Sequence, residues 1–115
     1  MTLYTRFQGI PETLEPDNNL TLKTLLTAHD SGGALSITWV SLHGPHRRLR
    51  HHRCFRSYVV LTGSMELRVD GFENVTLESG DSATVPTGRV YDLSGTCEYL
   101  VINSPGYAEG DDEYE

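Results

Sequence analysis

An all-β barrel or sandwich is the fold class this sequence predicts, on three observations. Turn-forming residues recur at short intervals: Pro16-Asp17-Asn18-Asn19, Asp30-Ser31-Gly32-Gly33, Gly44-Pro45, Asp70-Gly71, Ser79-Gly80-Asp81, Ser94-Gly95 and Ser104-Pro105-Gly106. The segments between them are short, rich in Val, Ile, Thr, Leu and Tyr, and alternate in part with a period of two. No window of about ten residues or more carries a 3.6-residue apolar repeat, so little or no helix is expected.

In chain order the segments predict strands at 20–28, 34–43, 55–62, 64–69, 72–78, 81–86, 89–93 and 96–103. The first, "LTLKTLLTA", follows the Pro-Asp-Asn-Asn turn, and "ALSITWVSLH" follows Asp30-Ser31-Gly32-Gly33. "FRSYVVLT" holds the best strand core of the chain, Tyr58-Val59-Val60-Leu61, and Gly63 is read as its end. "SMELRV" and "FENVTLE" flank Asp70-Gly71, the strongest hairpin signal present. "DSATVP", "RVYDL" and "TCEYLVIN" follow, separated by Thr87-Gly88 and Ser94-Gly95.

The 115 residues suit one domain with a modest core, assigned to 1–108, with 109–115 as an acidic, disordered tail. The formal charge of −7 comes mostly from that tail: without Glu109, Asp111, Asp112, Glu113 and Glu115, eleven acids face nine bases. Such a tail reads as solvated and frayed. The near balance of the body argues against nucleic acid, and no apolar run nears the ~20 residues that span a bilayer. With no apolar signal core at the N-terminus, the expected location is cytoplasmic, and Cys54 and Cys97 are expected as free thiols.

The chemistry concentrates in "GPHRRLRHHRCFRSYVVLTG", residues 44–63, where five of the nine Lys and Arg residues stand among His46, His51 and His52. The spacing here resembles the cupin superfamily, small jelly-roll β-barrels. Its first motif, G-x5-H-x-H-x3/4-E-x6-G, is matched in spacing by Gly44, Arg50-His51-His52, Arg56 and Gly63. Its second, G-x5-P-x-G-x2-H-x3-N, is matched by Gly80, Pro86-Thr87-Gly88, Tyr91 and Gly95. The resemblance implies an antiparallel jelly roll with positions 50, 52, 56 and 91 facing inward. In the family those positions hold a divalent metal. Here they are Arg50, His52, Arg56 and Tyr91, and a guanidinium has no lone pair to donate. No cofactor is therefore expected. The alternative is a displaced site for Zn, Ni, Fe or Mn on His43, His46, His51 and His52, although adjacent His51 and His52 face opposite ways on a strand.

Alternation through an unbroken strand puts Arg50, His52, Cys54, Arg56 and Tyr58 on one face. The expected site is a cationic pocket in which Arg50, Arg56, Tyr58 and Asp92 bind a small anionic metabolite, carboxylate or phosphate. Tyr91 and His52 are the candidate catalytic groups for metal-free isomerase or dehydratase chemistry, with Asp92 placed to orient the Tyr91 hydroxyl. Two other readings stand beside it. One is a metal-dependent isomerase, lyase or dioxygenase on the displaced histidines; the other is a non-catalytic structural or dimerisation module in which Arg50 and Arg56 pair with Glu66, Asp81 or Asp92. Sequence alone does not decide whether the protein is an enzyme. A homodimer is expected, because a short jelly roll leaves sheet edges to cover and family members pair through them.

Overall fold

Two long strands carry the fold. β5 (Phe55–Val69) and β8 (Tyr91–Ser104) run antiparallel, in register from Phe55 opposite Ser104 to Val69 opposite Tyr91. The sequence places strand ends at Gly63 and Gly95, but both glycines lie inside these strands, at close approaches between them. Gly63 faces Cys97 and Gly95 faces Met65. A Cβ at Gly63 would collide with the Thr96 carbonyl oxygen, and one at Gly95 with the Ser64 carbonyl. Both have positive φ, 80° and 146°, which side chains rarely adopt. Together with a register slip between Val60 and Thr62, they let the pair bend without ending.

The computed structural model describes residues 3–115. Against the far edge of β8 lies β3 (Ser36–Pro45), then β2 (Leu20–Leu26) and β1 (Thr13–Glu15). On its free side β5 carries β7 (Ser82–Val85) along its first half and β6 (Val75–Glu78) along its second. The β5–β6 hairpin turns at Asp70-Gly71 as expected, although its second strand begins at Val75 rather than at 72. A short strand, β4 (Leu49–His51), pairs with the start of β8. Every ladder is antiparallel and the sheet curls into an all-β jelly roll. Single 3-10 turns at Phe7–Gly9 and Pro16–Asn18 are the only helical residues described. Among the described residues no helix is long and apolar enough to cross a membrane.

Inward side chains of the large strands, Val40, Leu42, Val60, Met65, Leu67, Val85, Leu93 and Tyr99, form the core, each at most 3% exposed. Full burial of such a side chain contributes about 1.5–3 kcal/mol, which fixes the strand register that the functional residues inherit.

The acidic C-terminus corrects the sequence reading. Residues 109–115 are not a frayed tail: Asp112–Tyr114 form β9, paired to β4 with Asp112 opposite His51, Glu113 opposite Arg50 and Tyr114 opposite Leu49. Composition alone reads these residues as solvated. The arginines of 48–56 give them partners: Asp111 meets Arg53, Asp112 meets Arg56, Glu113 meets Arg50 and Glu115 meets Arg48.

Candidate functional site

The site is set by a change of strand phase between β4 and β5. In β4, Leu49 and His51 point inward while Arg50 points out. A bend at 52–54 follows, held by the loop before β8: Gly88 N–H donates to the His51 carbonyl at 2.8 Å and Thr87 Oγ1 to the Cys54 carbonyl at 2.9 Å. β5 then starts on the opposite parity, with Phe55 74% exposed and Arg56 3% exposed. Cys54, Arg56, Tyr58 and Val60 are the inward set.

The inference of a single face from 50 to 58 is thus overturned for Arg50 and His52. Both lie outside: Arg50 Nε is 3.0 Å from Glu113, and His52 Nε2 meets the same carboxylate at 3.0 Å. Asp92, though only 8% exposed, does not line the cavity: it is held by Arg48 at 2.8 Å and by Arg68, and it orients no tyrosine. The expected partners Glu66, Asp81 and Asp92 do not answer Arg50 or Arg56. Those carboxylates come from β9 instead.

Inside, three expected residues do converge. Arg56 Nη1 donates to the Tyr91 hydroxyl at 3.1 Å, and Tyr91 and Tyr58 share a hydrogen bond of 2.7 Å between their hydroxyls. Arg56 Nε donates to Asn103 Oδ1 at 2.7 Å. Its remaining edge faces Asp112, whose Oδ1 is 2.7 Å from Nη2. That oxygen lies off the N–H axis, so the contact is ionic and the buried oxygen has no hydrogen bond. Burial pushes the Tyr58 and Tyr91 hydroxyls above the ordinary phenol range, with the Arg56 charge pulling back on both. Both therefore remain protonated donors at neutral pH.

These residues border a cavity of about 270 Å³, between the β1–β3 side of the barrel and β9. Arg56, Tyr58, Tyr99, Asn103, His46, Tyr107, Glu15, Asp112 and Tyr114 reach its wall. Tyr91, fully buried, backs Arg56 and Tyr58 from behind. Tyr107, following Pro105-Gly106, sits at the mouth as a partial cap.

His46 is the residue whose role the sequence reading missed, having placed it only in a displaced metal set. Its Nδ1 lies 2.8 Å from the Arg47 carbonyl; a carbonyl only accepts, so Nδ1 carries the proton and Nε2 keeps its lone pair. Desolvation lowers its pKa below 6.5 despite the opposing pull of the Arg47 carbonyl and the nearby carboxylates of Glu15 and Asp112. It is a neutral imidazole at pH 7, stacked on the Tyr114 ring at 6.2 Å. A signal for it existed. Even-numbered residues of β3, Thr38, Val40 and Leu42, face the interior, and His46 continues that parity beyond Pro45 with its N–H on the Leu93 carbonyl.

The four histidines proposed for a displaced metal do not meet. His43 is exposed beside Ser41, His46 lines the cavity, His52 is outside, and His51 is fully buried with Nε2 on the Val85 carbonyl at 3.1 Å. Among the described residues no three His, Cys, Asp or Glu side chains form a ligand set. The family's metal does not fit this donor set, since the inward positions carry a guanidinium and a phenol. Cys54, buried against His51 and Asn103, has its thiol pKa raised by desolvation, as for an inert core residue.

No known family pattern and no curated protein matches the chain. Solved structures do. Pac13, described as a unique nucleoside dehydratase, superposes with a TM-score of 0.84 at 18% identity over 100% of this chain and 91% of that one. An RmlC-like cupin from Shewanella frigidimarina gives 0.75 at 18% identity over 96% of each chain. The fold is a cupin fold. A third cupin-fold likeness, the polyketide cyclase RemF from Streptomyces resistomycificus, gives 0.76 at 17% identity over 96% of this chain and 89% of that one. Streptomyces Pac13 has also been solved with uridine as variants with a histidine changed to glutamine or a tyrosine changed to phenylalanine.

Proposed function

We propose that this protein is a small-molecule cupin whose cavity performs metal-free acid–base chemistry, a dehydration or isomerisation of a hydroxylated metabolite about the size of a nucleoside. The observation that carries this reading is one cavity wall shared by a neutral imidazole with a free Nε2, His46, and a phenol donor, Tyr58, tied through Tyr91 to Arg56. Dehydration needs one group to take a proton from carbon and another to protonate the departing hydroxyl. His46 Nε2 takes the first proton as the C–H bond breaks and the double bond forms. Tyr58 donates its hydroxyl proton as the C–O bond breaks and water leaves, and the proton on His46 then returns to the phenolate through solvent. Arg56, through Tyr91, stabilises the negative charge that Tyr58 carries in between.

The expected preference for an anion weakens while Asp112 sits on Arg56, because only Arg56 faces inward and Asp112 already offsets its charge. A neutral, hydroxyl-bearing ligand suits a cavity of about 270 Å³, a little below the roughly 300–1,000 Å³ of drug-sized sites. The open cavity also disfavours a purely structural, filled barrel. Pac13, a nucleoside dehydratase solved with uridine as histidine and tyrosine variants, supports the reaction class through its shared fold, and the residue roles rest on this chain's own geometry.

The test is incubation with uridine and related hydroxylated nucleosides, read by mass spectrometry for loss of water, with and without chelator. Turnover is expected and is insensitive to chelator. His46→Gln and Tyr58→Phe keep binding while kcat falls roughly 10²–10⁴-fold. No binding and no product across the panel would refute the reading.

A further inference from the structure

We propose that Arg56 is an anion site whose resident occupant is the chain's own Asp112, and that a phosphate or carboxylate group on a small metabolite takes it over as β9 moves aside. The proposal rests on the reading of this cavity as a ligand site and extends it from the neutral ligands that fit while Asp112 is in place to acidic metabolites that displace it.

Arg56 is buried, and its guanidinium is fixed on two edges by Asn103 and Tyr91. The third edge is where an anion belongs, since a buried guanidinium without a counter-charge is strongly unfavourable. Asp112 supplies the charge but fits it poorly: its buried Oδ1 lies within ionic distance and makes no hydrogen bond. A buried acceptor left unbonded is a standing cost. A phosphate or carboxylate free to turn can place two oxygens along the guanidinium N–H directions, which a side chain tethered to a strand does not achieve here.

The occupant is also carried on a short edge strand. β9 has three residues and pairs only with β4, itself three residues long. Beyond that ladder, Tyr114 stacks on His46, carries the Arg47 guanidinium 4.0 Å from its ring and accepts a 3.4 Å hydrogen bond from Asn18, and the Glu115 N–H donates to the Arg48 carbonyl. Its ion pairs, Arg50 and His52 to Glu113 and Arg48 to Glu115, join side chains 38–56% exposed. Such pairs contribute little and are screened by salt. The firm anchor lies just before the strand: Arg53 grips both oxygens of Asp111 at 2.6 and 2.9 Å, next to Gly110 at φ 92°. β9 can therefore swing out from Asp111 as a low-stability unit while its root stays fastened. Asp112 and Tyr114 both wall the cavity, so the movement widens it. Opening without an anion strands the Arg56 charge. Opening and anion binding are thus one linked event.

Two measurements test this, both with inorganic phosphate against chloride at matched ionic strength. In the first, Asp112→Asn vacates the site. Its melting temperature is expected to rise with phosphate by on the order of 5–10 °C at a hundred times Kd, well beyond the wild-type response, and Arg56→Met in the same background removes the gain. In the second, wild-type amide hydrogen exchange at 112–114 is expected to speed up severalfold in phosphate but not in chloride. Ribose 5-phosphate acting at lower concentration than phosphate, with ribose inactive, assigns the site to an acidic metabolite; phosphate acting as strongly as the ester overturns that assignment. If Asp112→Asn does not fold, wild-type exchange decides alone. A null result in either readable measurement overturns the proposal, and because neither uses a nucleoside or turnover, its failure is distinct from failure of the dehydratase reading.

Discussion

Arg50 and Arg56 share one short segment and one kind of partner, carboxylates on neighbouring residues of β9, yet they occupy opposite environments. The Arg50 side chain is 41% exposed beside a 56% exposed Glu113, whereas that of Arg56 is 4% exposed beside a 16% exposed Asp112. Between them the bend at 52–54 changes the strand's parity, so the same residue type is a surface fastening on one side and part of the cavity wall on the other. Water screens the first pair. The second must be matched by hydrogen bonds to Asn103 and Tyr91, because charge removed from water is tolerated only when its donors are satisfied.

Truncating both arginines to alanine makes that comparison quantitative, and the inner one gives the largest expected effect. Arg56→Ala strips the hydrogen-bond partners of Tyr91 and Asn103 and leaves the Asp112 carboxylate partly buried without its cation. Removing one member of a buried pair destabilises by about 3–5 kcal/mol. Denaturant unfolding at pH 7 and low salt measures it. A loss within a few tenths of a kcal/mol would mean that the Arg56 environment is as wet as that of Arg50.

The intermediate case is a pair of adjacent histidines on the two faces, of which only the inner one is built into the core. His51 is held neutral: burial first, and the nearby Arg56 charge second, keep its pKa below 6.5, with Asp112 and the Val85 carbonyl pulling weakly the other way. Below pH 6.5 the unfolded chain binds a proton that the folded His51 does not, so stability rises with pH in that window. It is complete above pH 6.5 and declines as pH falls toward the lowered folded value. His46, shifted the same way, adds to the slope. Melting temperature should therefore drop as pH falls below about 6.5, and His51→Gln should flatten part of that drop. An unchanged slope in the variant would place the titration elsewhere.

What the sequence made legible follows from the range of the interactions involved. Local signals, the turn residues and period-2 segments, predicted an all-β barrel or sandwich, the cupin-like motif spacing narrowed this to an antiparallel jelly roll, and Asp70-Gly71 marked its hairpin correctly. Gly63 and Gly95 misled because a glycine that ends a strand and one that lets two strands touch look alike until the partner is known. Arg56, Tyr58 and Tyr91 were recognised as inward residues. Arg50 and His52 were misplaced because the parity change depends on Gly88 and Thr87, more than thirty residues away, pinning the bend. His46 was hidden by reading Pro45 as a break. β9 was illegible for the same reason at greater range: its composition is that of a solvated tail, and only its distant arginines make it a strand.

Arg50→Ala gives the smallest expected effect and the sharpest check on the parity argument. The guanidinium has one carboxylate partner, Glu113, which keeps a second contact in His52 when Arg50 is gone. Both side chains are about half exposed, so water replaces the lost contact at little cost, and exposed pairs of this kind contribute ~0–1 kcal/mol. The small loss should shrink further in molar salt, where the Debye length falls to roughly 3 Å. Because Arg50 faces away from the cavity, affinity for a neutral ligand and turnover should be unchanged while exchange at the β9 amides rises slightly. Global unfolding, a binding titration and hydrogen exchange on one preparation separate these outcomes. A loss of ligand binding in Arg50→Ala would return Arg50 to the cavity and undo the change of phase at 52–54.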